Sequence, residues 1–293
     1  MELLLGEGAS IEAMKYIPLH VAVRNGHTGT VELLFGNDAS IEAVDEDSNT
    51  PLHLAARDGY TNTAELLLSK GASIKVMDRH GDTPLHRAAW NGQTGVAELL
   101  LEKGAWIEAI NYHDNTPLHC AAKRGHTSMV ELLLGKGASI EAVNTYNDTP
   151  LHVAVQGGYT SMVELLLDKN ASIEAINGDC DTPLHLAVQG GYTNMVELLL
   201  DKDASIEAIN GDNDTPLHLA VRNGQTGMVE LLLRKGASIE AKDKYNNTPL
   251  DYAALEGFTD IVQLLKYKAA EPVAHGYHER YTLVVDTHST KFF

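Results

Sequence analysis

Residues 149–181 read TPLHVAVQGGYTSMVELLLDKNASIEAINGDCD, a stretch that holds the start, the turn and the stop of one complete structural unit. Thr149 suits an N-cap, where its hydroxyl oxygen can accept one of the backbone N–H groups that a helix leaves free. Pro150 gives up a donor that has no intrahelical partner at that position anyway. A short helix follows and stops at Gly158, since a residue without Cβ takes positive φ at no steric cost. After Thr160 comes the apolar run MVELLL, with Ser161 three residues before Glu164, as Ser128 is before Glu131, in the spacing of a capping box. This second helix is expected to stop at Asn170, a residue that tolerates the left-handed conformation. The polar stretch that closes the unit, NGDCD, has turn composition.

Outward from this stretch the unit recurs every 33 residues. Thr50, Thr83, Thr116, Thr149, Thr182 and Thr215 each begin TPLH, Ile17 begins IPLH and Thr248 begins TPLD. Eight starts in register describe an array of units and not one closed core. The helix-ending glycine recurs at 26, 59, 92, 125, 158, 191, 224 and 257, and a threonine opens each second helix from 28 to 259. Gly71, Gly104, Gly137 and Gly236 stop the second helix, with Asp38, Asn170 and Asp203 replacing glycine elsewhere. The fourth residue of the polar stretch is Ser48, Gly81, Asp114, Asn147, Cys180, Asn213 or Asn246, mostly types that favour turns or the left-handed region. Residues 1–13, MELLLGEGASIEA, match the second half of a unit. The expected organisation is a partial repeat at 1–13, eight repeats starting at 17, 50, 83, 116, 149, 182, 215 and 248, an array ending near 270, and a tail over 271–293. The tail leaves the pattern after Pro272, and its YTLVV fits either a short strand or a disordered segment.

The pattern D-x-x-G-x-T-P-L-H-x-A-x-x-x-G followed by V-E-L-L-L-x-x-G-A resembles the ankyrin repeat over roughly residues 1–270. The resemblance implies an all-α solenoid of stacked helix-turn-helix units. It also implies β-hairpin-like fingers at right angles to the stack, and a concave surface made by fingers and first helices. Two departures stand out. The family's Asp-x-Asn after Gly-Ala is here Ser-Ile-Glu, as at Ser139-Ile140-Glu141, and several fingers carry Asn or Asp where the family has Gly.

In such a stack each unit buries its apolar stripe only against its neighbours, so the ends need polar faces. The column Leu68, Leu101, Leu134, Leu167, Leu200, Leu233 becomes Lys266, and Glu230 becomes Gln263, which marks a C-terminal cap. Leu3, Leu4 and Leu5 have no first helix to cover them, which points to a truncated array, fraying or self-association at the N-terminal end.

The formal charge of -18, from 40 acidic and 22 basic residues, repels phosphate backbones and anionic lipid, so no nucleic acid and no membrane is expected as a partner. Another protein with a basic or mixed surface fits better. Cys120 and Cys180, sixty residues apart, make no disulfide framework or zinc set. The start carries no basic n-region, and no apolar run reaches membrane-spanning length, so a cytoplasmic protein is expected.

Seven histidines sit in PLH, at 20, 53, 86, 119, 152, 185 and 218. One per unit, with Asp251 accepted in the last, they are expected to bond threonine and finger backbone and not to bind metal. His275, His278 and His288 form only a loose cluster in the tail. No phosphate-binding Gly-rich loop, G-x-S-x-G, HExxH or CxxC occurs, so no catalytic, cofactor or metal site and no enzyme is expected.

Recognition is expected where the repeats differ, because side chains not needed for stacking are free to read a partner. Before the first-helix glycine the pairs run Arg24-Asn25, Arg57-Asp58, Trp90-Asn91, Lys123-Arg124, Gln156-Gly157, Gln189-Gly190, Arg222-Asn223 and Leu255-Glu256. The fingers add Glu46, Asp47, Arg79, His80, Tyr112, His113, Tyr146, Asp179, Asp212, Lys244 and Tyr245. The candidate partner-binding set is Arg57, Asp58, His80, Trp90, Asn91, Tyr112, His113, Lys123, Arg124, Tyr146, Arg222 and Tyr245, centred on Trp90 as an aromatic anchor. The repeats starting at Thr149 and Thr182 differ only at Val153/Leu186, Ser161/Asn194, Asn170/Asp203 and Cys180/Asn213, a duplication that places specificity toward repeats two to four. The function expected is a non-catalytic scaffold or adaptor. The alternatives are a self-assembling array, or a host-directed effector using the same groove.

Overall fold

The computed structural model describes residues 11–37 and 39–270, and these form sixteen helices with no strand among them. Asp38, Leu3 to Leu5, the tail residues 271–293 and its three histidines lie outside the described residues.

From the second unit on, each first helix begins at proline directly after a threonine: Pro51–Asp58, Pro84–Trp90, Pro117–Lys123, Pro150–Gln156, Pro183–Gln189, Pro216–Arg222 and Pro249–Leu255. The cap is reciprocal. His86 Nδ1 accepts the Thr83 N–H at 3.2 Å, while the His86 N–H reaches Thr83 Oγ1 at a long 3.5 Å. In the last unit Asp251 Oδ2 takes the place of the imidazole, accepting the Thr248 N–H at 2.8 Å. The turn glycines have φ between 63° and 82°, as their positions require.

Second helices begin at the threonine, as in Thr127–Gly135 and Thr160–Asp168, and their N-cap is the residue before it, with no side-chain cap bond. The capping box expected at Ser128/Glu131 and Ser161/Glu164 is therefore absent. Each helix starts too early for those side chains to reach the free N–H groups, and the backbone carbonyl of His126 or Tyr159 already accepts the first helical bond. Asn170 and Asp203 do end their helices with φ 67°, standing in for glycine.

First helices pack on first helices and second on second along the stack. Leu67, Leu100, Leu133, Leu166, Leu199 and Leu232 are fully buried between neighbours. Each contributes about 1.5–3 kcal/mol of burial that no isolated unit could gain. At the far end Lys266 and Gln263 are exposed on the longer last helix, Thr259–Ala270, as a polar cap demands.

The first unit departs from the sequence reading. Helix Ile11–Arg24 runs straight through Ile17 and contains Pro18 in its interior. Ile17 has no hydroxyl to cap a new helix, and only four residues separate Ala13 from Pro18 where other units have seven between Ala and Pro, too few for a finger.

Candidate binding face

Each finger is a tight loop closed by its first residue. Asp45 N–H donates to Asn49 O at 3.0 Å and Ser48 N–H to Asp45 O at 2.9 Å. Ser48 has φ 61°, the arrangement of a three-residue hairpin with a left-handed third residue. The fingers are hairpin-like but too short to be strands. One bond links each to the one before it, as in Tyr112 N–H to His80 O at 3.1 Å and Gly178 N–H to Tyr146 O at 2.8 Å.

The finger's first residue organises the floor. Asn177 Oδ1 accepts the N–H groups of Asp179 and Asp181 at 3.0 and 2.9 Å, and its amide donates back to Asp148 Oδ1 at 3.2 Å. Asn111, Asn144 and Asn210 repeat this donation to Asp82, Asn115 and Asp181. Where aspartate replaces the asparagine it finds a donor instead: Asp45 pairs with Arg24 at 3.0 Å, Asp78 with Arg87, and Asp243 with the Tyr252 hydroxyl.

The PLH histidines tie unit to unit. His53, His86, His119 and His185 place Nε2 at 2.9–3.0 Å from the carbonyl oxygens of Asp82, Asn115, Asp148 and Asp214, the finger residues that lead directly into the next repeat. Because Nδ1 accepts the threonine N–H, the proton must sit on Nε2 and the ring must be neutral. Burial pushes His53, His86, His119, His152 and His185 below the ordinary imidazole pKa in agreement. Among the described residues no group of three or more His, Cys, Asp or Glu is placed to hold a metal.

The twelve candidate residues spread along the face instead of converging. Lys123 and Arg124 are exposed, and Arg124 lies over the Trp90 ring at 5.1 Å. Trp90 is half-buried against the core, so it serves packing as well as surface. Arg57 and Asp58 engage each other at 2.8 Å, and Asn91 caps its own helix by donating to Arg87 O at 2.8 Å. Tyr112, Tyr146 and Tyr245 stand out at the fingertips, 69%, 62% and 67% exposed. His80 and His113 are exposed between them, with Arg79 Nε donating to His80 Nε2 at 3.0 Å. Lys244 lies over the Tyr245 ring at 5.1 Å, and Arg222 pairs with Asp214 at 2.5 Å.

Two depressions on this face, of about 880 and 780 Å³, share Gly178, Asp179, Asp181 and Gln189, and so form one trough over the repeats starting at 149, 182, 215 and 248. Asp148, Asp181 and Asp214 were not singled out from sequence, whereas Asp179 and Asp212 were, as variable finger residues. The available signal was the pair of glycines at 178 and 211, which line the trough at a finger position that carries a side chain in the other repeats.

Comparison with protein families matches ankyrin-repeat models over residues 19–111, 107–177 and 184–275, and a second ankyrin-repeat model over residues 160–200. The chain belongs to the ankyrin-repeat family. A search of curated proteins gives no match. The Ser-Ile-Glu departure from the usual ankyrin repeat has a structural role: Glu108, Glu141, Glu174 and Glu207 each accept the backbone N–H of the serine one repeat on at 2.7 Å. Lys75 replaces the glutamate in one ankyrin unit, and there the serine is replaced by Trp106, 64% exposed. The joint lacks its acceptor, although nothing in the structure explains the indole itself. No helix among the described residues is long and apolar enough to cross a membrane.

Proposed function

We propose that this ankyrin-repeat protein is a non-catalytic, cytoplasmic scaffold or adaptor that holds a partner protein against its fingers and first helices, with no nucleic acid or membrane partner. Ankyrin repeats are in general protein-protein interaction modules. The observation that carries the reading is that the stacking positions are near-invariant along the chain while exposed positions on one face change from repeat to repeat, Trp90 with Arg124 and the three fingertip tyrosines among them. Large aromatics and arginine are the residues that dominate interfaces.

The test is capture of a partner by wild type against a Trp90→Ala/Lys123→Glu/Arg124→Glu variant, with each result divided by the folded fraction. That division is needed because Trp90 is half-buried, and its truncation costs stability as well as contact. Unchanged capture per folded molecule by this variant and by variants in the trough would end the reading.

A second reading, self-assembly, draws support from Val44, Met77, Ile110, Val143, Ile176 and Ile209. These form a column of one exposed apolar residue per repeat, each 44–55% exposed. Sedimentation at several concentrations separates the two, since an adaptor stays monomeric.

A further inference from the structure

The trough differs electrostatically from the rest of the face. It is lined by six carboxylates, Asp148, Asp179, Asp181, Asp212, Asp214 and Glu256, against one cation, Arg222. On its floor, Asp148 accepts from the amides of Gln156 at 3.0 Å and Asn177 at 3.2 Å, and Asp181 from those of Gln189 at 3.2 Å and Asn210 at 2.9 Å. Amide donors solvate a carboxylate without cancelling its charge, so two buried negative charges lie under the trough with no ion-pair partner among the described residues. Asp179 at the fingertip above them is exposed and has no ion pair among the described residues. At the C-terminal end Asp214, 1% exposed, lines the trough with Oδ1 lacking any donor.

Shape agrees with charge. The finger position occupied elsewhere by Arg79, Tyr112, Thr145 or Lys244 is glycine at 178 and 211, and the helix position that holds Asp58 or Arg124 is glycine at 157 and 190. At the finger glycines a Cβ would crowd the preceding finger, 3.0 Å from the Tyr146 carbonyl at 178 and 3.0 Å from the Asp179 carbonyl at 211. Exposed Tyr146 lines the opening at its N-terminal end.

We propose that this trough binds an extended polypeptide segment carrying lysine or arginine at every third residue, one cationic side chain per repeat. The spacing follows from the stack: neighbouring helices lie about 8–10 Å apart, and three residues of extended chain cover about 10 Å. The near-identical repeats starting at 149 and 182 supply two equivalent cells in register, which a periodic ligand can use and an irregular one cannot. The proposal rests on the reading of this face as the recognition surface and names the chemistry of what it takes.

The experiment is fluorescence anisotropy on the full chain with synthetic peptides of about twelve residues, long enough to cover four repeats. The probes carry lysine at every third position in a Gly/Ser background, the same lysines clustered at one end, or glutamate in place of lysine. The first is expected to bind, more weakly as salt rises, and the other two to bind less. Asp148→Asn/Asp181→Asn keeps hydrogen-bonding side chains of the type Asn115 already provides and removes the charge. It should weaken the first peptide roughly tenfold. Gly178→Lys/Gly211→Lys, which copies Lys244 into the trough, should abolish binding, while Glu131→Gln/Glu164→Gln, which removes two exposed charges from second helices away from this face, should leave it unchanged. Equal binding of the clustered peptide, no binding of the periodic one, or indifference to both trough variants overturns the proposal. A loss as large in the Glu131/Glu164 variant also overturns it while leaving the scaffold reading intact. That broader reading fails separately, on partner capture that ignores the Trp90/Lys123/Arg124 changes and the trough changes alike.

Discussion

Asp243 stands where the four preceding fingers have asparagine, and Asp214 Oδ1, the atom that an asparagine there would cover, has no hydrogen-bond donor. Burial pushes the Asp214 carboxyl above the usual carboxylate range against the pull of Arg222, and the nearby Asp243 charge adds to the rise. The joint between the last two repeats thus sets carboxylate toward carboxylate, where the earlier joints set amide to acceptor.

Asp243→Asn is therefore expected to stabilise the array. The new amide can donate one hydrogen to Asp214 Oδ1 and the other to the Tyr252 hydroxyl, which now donates to Asp243. Satisfying a buried acceptor is worth about 1–3 kcal/mol. Urea unfolding should show a higher midpoint at unchanged slope. A lower midpoint would mean that the Tyr252 hydroxyl bond matters more than the orphan oxygen.

Acid should loosen the stack sooner than the carboxylates alone would require. Five buried histidines have folded-state pKa values lowered by burial, and their Nδ1 atoms already accept threonine N–H groups. The unfolded chain takes up protons below about pH 6.5, and the folded chain does not until lower pH. The stability these rings supply is full above that pH and is lost as pH falls through their lowered values. Thermal melts from pH 8 to 5 should show the midpoint dropping below about pH 6.5, and His119→Gln should flatten the drop. A flat midpoint down to pH 5 would contradict the assigned tautomer.

How much of this was legible beforehand depends on range. Contacts inside a 33-residue unit, such as the Thr-Pro start or the glycine stop, are chemical necessities that each repeat states again, and the structure follows them. The capping box at Ser128/Glu131 looked equally local, but which residue starts a helix is set one step earlier by the turn glycine and its αL geometry. The trough was not legible because it is made by first helices and fingers that only stacking brings face to face. Repetition of Gln156 and Gln189 read as duplication, and only geometry sets them opposite Gly178 and Gly211.

The turn glycines offer a clean separation of strain from contact. Gly125 has φ 73°, and a Cβ there would lie 2.7 Å from the Tyr159 ring, whereas at Gly137, φ 94°, a Cβ meets nothing within 4 Å. Gly137→Ala should cost about 1–2 kcal/mol, the backbone term alone. Gly125→Ala should cost more, and adding Tyr159→Ala should recover the excess. Equal costs at the two positions, measured by urea unfolding, would show that the Tyr159 ring swings aside freely.

A last pair tests whether the finger base and the first helix are chosen together. The finger-base residue is Asn where the fourth residue of the first helix is Cys120, Val153, Leu186 or Leu219, and Asp where that residue is Arg87 or Tyr252; Asp45, followed by Leu54, is the exception and takes its donor from Arg24 instead. Asp78 is fully buried on its side chain and Arg87 Nε donates to it at 2.6 Å, so Arg87→Leu strands a buried charge. Breaking a buried pair from one side costs about 3–5 kcal/mol. Arg87→Leu/Asp78→Asn recreates the Asn177/Leu186 combination, with the new amide able to reach Asn49 as Asn144 reaches Asn115 at 3.0 Å. Asp82 keeps the Asn111 amide at 2.7 Å in either variant. The double variant should therefore fall within about 1 kcal/mol of wild type, since replacing both partners of such a pair is often neutral. A double variant as unstable as the single one would mean that Arg87 holds the repeat through packing, and that the pairing of residue types along the chain is coincidence.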